Sequence, residues 1–144
     1  MKIDEKLILK RFERLDELLV KLNELKKLPK KKFLSNYKNY FSAQRALEIA
    51  INICIDIGAH IVSMNKVNKP ETYSKIFIEL FDLNIIGEDL QDKLIKMVKF
   101  RNLLGHFYMD VDNEIIFDII QNNLEDFKTF KKTIFHKFED QLSS

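Results

Sequence analysis

EIAINICIDIGAHI, residues 48–61, is the stretch whose reading decides the fold. Isoleucine stands at 49, 51, 53, 55 and 57, the every-second-residue alternation of a half-buried strand. A second pattern runs through the same residues. Ala43, Ala46, Ala50, Cys54 and Gly58 recur at intervals of three and four, which lays a stripe of small residues along one side of a helix and lets another helix approach closely. Strong helix formers flank the stretch, so the segment from about 36 to 65 reads as a helix and the strand is rejected. Along another line of this helix stand Arg45, Glu48, Asn52, Asp56 and His60. A polar line on an isoleucine-rich helix faces either solvent or a polar cleft or subunit partner. Solvent is the expectation for Glu48 and His60, a cleft for Asn52 and Asp56.

Working outward, the whole chain contains three glycines and two prolines, too few for the turns a sheet protein requires. A first helix is expected over about 4–28, with Leu7, Leu15, Leu18, Leu22 and Leu25 at helical spacing, ending near Pro29. The run KKLPKKK, Lys26 to Lys32, is either a solvated elbow or a basic patch, and charge beside a proline favours the elbow. After the long second helix, NKPE at 68–71 breaks the chain; Glu71 or Thr72 starts a short helix through SKIFIELFDL, which Asn84 closes in the left-handed conformation. Gly87 marks the next turn. A fourth helix begins at Glu88 and Asp89, acids suited to a helix N-terminus, and buries Leu90, Leu94, Met97 and Val98. Asp112 is placed to cap a last helix reaching about Phe138, with Ile115, Ile119, Ile120, Leu124, Phe127 and Phe130 inward. The expectation is an all-α, up-and-down four-helix bundle with an additional short helix, one domain over residues 1–144.

Bulk composition narrows the function classes. With 24 Lys+Arg against 22 Asp+Glu the formal charge is +2, so any contact with RNA must come from a local patch. The single cysteine, Cys54, allows neither an internal disulfide nor a thiolate metal cluster within one chain. The N-terminus MKIDEKLILKRFERLDELL mixes charge with apolar residues, and no later segment is read as membrane-spanning. A soluble cytoplasmic protein without a cofactor or metal is the expectation.

RNLLGHFY, residues 101–108, gathers one of the chain's four arginines and one of its three histidines at the end of the fourth helix. The series 90, 94, 97, 101, 104, 108 follows one helix face, so Arg101 and Tyr108 share the inward or partner-facing line. An arginine there must meet an anion, a carboxylate or a wet interface. His106 lies about 140° around an ideal helix from Arg101, so the two converge only if the helix bends near Gly105 or a second chain supplies the other half. Spacing alone equally allows a structural Arg–Asp pair and a histidine at a favourable helix C-terminus. His60 and His136 read as structural or surface residues.

These residues resemble the HepT toxins of the HEPN superfamily, whose signature is an arginine, four residues, a histidine, one residue and a tyrosine. It stands here as Arg101, NLLG, His106, Phe107, Tyr108. The likeness spans roughly residues 40–120, from QRALEIAINICIDIGAHI through YSKIFIELFDLNII to KFRNLLGHFY and MDVD. Gly105 departs from the valine often found before the histidine. The resemblance implies a metal-independent endoribonuclease toxin of a type II toxin–antitoxin system, a homodimer whose Arg101 and His106 cut RNA at the cleft between subunits. It also implies that an MntA-type nucleotidyltransferase antitoxin silences the toxin by transferring AMP to Tyr108. Asn102, Asn52 and Asp56 are the candidates to support the catalytic pair. The alternative is a non-catalytic HEPN subunit that docks on, or presents substrate to, a nucleotidyltransferase; relatives of that kind generally lack the Arg-to-His-to-Tyr pattern that this chain keeps.

Overall fold

A computed structural model describes residues 2–65, 68–104 and 111–143. Within them the secondary structure is helical throughout, and the long second helix of the sequence reading is its centre. Helix α1 (Glu5–Lys26) starts where the Asp4 carboxylate accepts the Leu7 N–H at 3.1 Å, and it buries Ile8, Phe12, Leu15, Leu18, Leu19 and Leu22. Leu7 and Leu25 flank that stripe, partly buried. Helix α3 (Tyr37–Met64) begins at Asn36, whose side chain accepts the Lys38 N–H. It packs against α1 along its length.

The stripe of small residues works as read. Ala43, Ala46, Ala50, Cys54 and Gly58 are all buried. Helix α4 (Tyr73–Asp82), capped by Thr72, crosses α3 at this notch. A Cβ on Gly58 would lie 2.8 Å from Ile76 Cγ2 and 3.3 Å from Leu80 Cδ1, so only a hydrogen in that place lets the helices meet. Burial pushes the Cys54 thiol far above its ordinary pKa, which leaves it protonated and inert.

Helix α5 (Glu88–Leu104) follows a turn in which Asn84 has φ 60°, as its residue type suggested, and it buries Leu90, Leu94, Met97 and Val98.

Two segments depart from the sequence reading. The lysine-rich elbow winds into a short helix, α2 (Lys30–Ser35), because Phe33 is fully buried and stacks against Phe117 at 5.4 Å. Anchoring one aromatic pulls its polar neighbours into a turn. The last helix is divided at Asn123 into α6 (Asn113–Asn122) and α7 (Leu124–Lys137), with a final turn α8 (Glu139–Leu142). Asn123 leaves helical geometry at φ −123° while its N–H still reaches the Ile119 carbonyl at 2.8 Å. Asp112 caps α6 as expected, but Ile116 and Ile120 face inward, whereas Ile115, expected inside, is 48% exposed. Only one of two adjacent isoleucines can share the buried face with Ile120 four residues on. Beyond the break Leu124, Phe127, Phe130 and Ile134 resume the core.

The antiparallel arrangement of α1, α3, α5 and the α6–α7 unit, with α4 as the additional short helix, is the all-α bundle expected. By length and composition α3 also passes as a membrane-crossing helix, but 56% of its most apolar 18 residues are buried inside the bundle. Its apolarity matches its place at the centre of the core.

Candidate functional site

Arg101 projects from the last described turn of α5 on the line of Leu94, Met97 and Leu104, three buried residues that fix its direction. It is half-buried. From α3, Asn52 Oδ1 accepts the Arg101 Nε–H at 2.8 Å. From the first turn of α4, the ring of Tyr73 lies under the guanidinium, with the arginine Cζ 5.5 Å from the ring centroid. Three helices thus hold the side chain through a neutral amide and an aromatic face. Neither contact cancels its charge. Among the described residues no carboxylate lies within 4.0 Å of Arg101, so the structural Arg–Asp pair left open by its spacing does not form among them. Among the described residues nothing accepts from the two guanidinium NH2 groups, and their planar fork suits a phosphate.

The carboxylates of the polar line are engaged elsewhere. Glu48, expected in solvent, is 9% exposed and accepts a hydrogen bond from Arg45 at 2.8 Å, since its position faces the flank of the bundle rather than the solvent crest. Asp56, expected in a cleft, has a 57% exposed side chain that meets Arg11 of α1 at 3.7 Å. One turn beyond Asn52, the neighbouring helix is α1 rather than α5. His60 serves the backbone: its Nε2 accepts the Asp4 N–H at 2.8 Å. His136 is exposed.

Of the sequence-predicted site residues, Arg101 and Asn52 are brought into direct contact, while Asp56 is not. Asn102 points outward beside Leu103, which is 63% exposed. His106, Tyr108 and Gly105 lie outside the described residues. Tyr73 was missed by sequence reasoning. Being one of four tyrosines, placed just after a helix cap, is a weak signal, because nothing in linear spacing connects it to Arg101. Among the described residues no three His, Cys, Asp or Glu side chains gather as a metal-holding group.

The all-α helical bundle is that of the HEPN proteins. The chain belongs to the HepT-like ribonuclease family, whose model, described as "Ribonuclease HepT-like", matches residues 8–134. It is thus an endoribonuclease by family. The mRNA nuclease HepT of Shewanella oneidensis is 33% identical over 100 residues, covering 67% of this chain and 75% of that protein. The tRNA nuclease HepT of Aphanizomenon flos-aquae is 27% identical over 132 residues, covering 92% and 90%. Among solved structures, a tri-AMPylated HEPN toxin of Shewanella oneidensis in complex with MNT antitoxin is 26% identical, with a TM-score of 0.83, over 94% of this chain and 99% of that one. The Bacillus subtilis protein YutE matches at TM-score 0.83 and 20% identity, over 99% and 95% of the two chains, which is a likeness of fold alone.

Proposed function

We propose that this chain is the toxin of a toxin–antitoxin pair, a metal-independent endoribonuclease that works as a homodimer and that a nucleotidyltransferase of the MNT type silences by adding AMP to Tyr108. The observation that carries the reading is the guanidinium of Arg101, positioned by Asn52 and Tyr73 yet left with its charge unpaired among the described residues. Family membership and the relatives named as mRNA and tRNA nucleases support RNA as the substrate. The AMPylated toxin in complex with its antitoxin supports the mode of control.

The chemistry follows from what RNA supplies. A base takes the proton of the 2′-OH, the freed oxygen attacks the adjacent phosphorus, and the P–O5′ bond breaks as an acid protonates the leaving oxygen. The products are a 2′,3′-cyclic phosphate and a 5′-hydroxyl. The imidazole of His106 is a side chain of the type that can serve as base or acid, and Arg101 holds the phosphate oxygens as negative charge grows on them. One chain offers one histidine in the motif, whereas a two-fold dimer offers two and can supply both roles. Tyr108 stands seven residues after Arg101 in the sequence. An AMP phosphodiester on its hydroxyl brings a negative charge that competes with RNA for the guanidinium. Residues 1–144 act here as one catalytic domain, in the cytoplasm; a core running from Ile3 to Leu142 supports the first point.

The test is cleavage of a labelled single-stranded RNA in the presence of EDTA. Wild-type protein should cut it, leaving cyclic-phosphate ends, and Arg101→Ala and His106→Ala should each reduce the rate by about 10²-fold or more. Activity that disappears with chelator and returns with Mg²⁺ overturns the mechanism.

A further inference from the structure

Between Glu24 and Glu48 the chain has no acidic residue, yet it carries seven cations: Lys26, Lys27, Lys30, Lys31, Lys32, Lys38 and Arg45. In a protein of net charge +2, this is where the positive charge concentrates. All six lysines are exposed, and among the described residues none of them lies within 4.0 Å of a carboxylate. Elsewhere Lys75, Lys93, Lys128 and Lys131 each have an acidic neighbour, while others such as Lys6 and Lys132 have none among the described residues, so what sets this segment apart is the absence of any acidic residue among its cations. The burial of Phe33 winds three of the six lysines into α2, so they form a compact surface rather than a trailing loop.

Beside this surface the first turns of α3 present Tyr37 and Phe41, each 57% exposed, with ring centroids 5.9 Å apart and Tyr40 a further 5.0 Å from Phe41. Flat aromatic faces left in water next to unpaired lysines match the two chemistries of a single-stranded nucleic acid, stacking bases and a phosphate backbone. Position links them to the site. At 100° per residue, Tyr37, Phe41, Arg45, Glu48 and Asn52 fall within an arc of about 80° on α3, and Asn52 holds Arg101. Phe41 and Asn52 are eleven residues apart, about 16 Å along the axis, the length of about five stacked nucleotides. Arg45, with a side chain 66% exposed, stands between them.

We propose that the α2 lysines, Lys38 and the Tyr37–Phe41 pair form a binding surface for the single-stranded flank of the RNA, remote from the cut. The inference rests on the reading of Arg101 as a phosphate-binding group. RNA held here reaches the arginine along α3 past the exposed side chain of Arg45, so the surface selects substrates with an unpaired extension over isolated dinucleotides.

The experiment measures fluorescence anisotropy of a 5′-labelled single-stranded oligoribonucleotide whose 2′-oxygens are methylated, which removes the nucleophile and separates binding from cleavage. Lys30→Ala, Lys31→Ala and Lys32→Ala combined should weaken binding at low salt about tenfold or more. They should also lower the slope of log K against log salt by about 2, close to 0.7 for each lost phosphate contact. Tyr37→Ala with Phe41→Ala should weaken binding about tenfold or more and leave that slope unchanged. A matched loss of three charges at Lys6, Lys132 and Lys137, away from this surface, should change the affinity by less than about threefold. All substituted side chains are exposed, and circular dichroism verifies that each variant is folded.

Unchanged affinity and slope in the α2 triple variant overturns the inference. So does a result in which that variant binds RNA normally but no longer engages the nucleotidyltransferase, or in which loss of the aromatics dissolves a dimer without altering RNA affinity. Arg101→Ala separates the two readings: if it still cuts unmodified RNA, the catalytic reading fails, whereas binding lost on α2 substitution stands or falls by itself.

Discussion

At the scale of single residues, the choice of Asn52 as the partner of Arg101 carries the functional argument. An aspartate at that position would make an ion pair, hold the arginine more tightly and cancel the charge a phosphate requires. Asn52→Asp should therefore cut RNA about 10²-fold more slowly, yet melt no lower than wild type. A purely structural arginine would leave activity unchanged in this variant. Equal rates in the two proteins would count against phosphate binding at Arg101. Tyr108 makes a second, separable case. Incubation with the cognate nucleotidyltransferase and ATP should add mass in AMP units and stop cleavage, and Tyr108→Phe should gain no mass while keeping its nuclease activity. Mass added to Tyr108→Phe would place the modification elsewhere. Asn52 was legible as a member of the polar line on α3, and Arg101 as a charged interruption of the apolar line on α5. Their contact joins residues 49 positions apart, and the Tyr73 face beneath the guanidinium has no linear signature at all. The misplacement of Asp56 has the same origin, since a helix wheel shows which residues share a line but not which neighbour that line meets turn by turn.

Among the elements, the crossing of α3 and α4 at Gly58 is the most constrained contact. The interfering atom is a γ-methyl of Ile76, which is 4% exposed and, being β-branched on a helix, has little rotamer freedom to yield. Gly58→Val should cost about 2–3 kcal/mol through overpacking, only partly offset by a better helix propensity. That loss corresponds to about 5–10 °C in melting temperature for a chain of this size. A thermal melt within a degree of wild type would show that α4 slides aside without cost. The stripe that predicts this contact was legible from small residues recurring at three and four. The winding of α2 was not, because local composition around a proline describes a loop while the pull of Phe33 into the core is a tertiary force. Nor was the break at Asn123: hydrophobic periodicity continues across it at intervals of four and three, and only the packed core shows that Ile116 rather than Ile115 keeps the first half in register.

For the whole molecule, the face around Arg101 carries Tyr73 and Leu103, 47% and 63% exposed, beside the polar Asn102. Apolar groups mixed with an unpaired cation suit a wet, shared surface between two copies, and the single motif histidine per chain gives that assembly a chemical reason. Multi-angle light scattering at micromolar concentration should return about twice the 17.2 kDa chain mass. A monomer there would leave base and acid catalysis without their second histidine. By itself the sequence determined that the chain is helical, where most helices begin, and which rare residue types gather in the stretch 101–108, because caps, breakers and helical spacing act within a few residues of one another. Only the tertiary structure decided which neighbour each polar side chain meets, whether a lysine run becomes a helix, and that the charge of Arg101 stays uncancelled among the described residues. Those outcomes depend on contacts between segments tens of residues apart, whose geometry exists only once the core has closed.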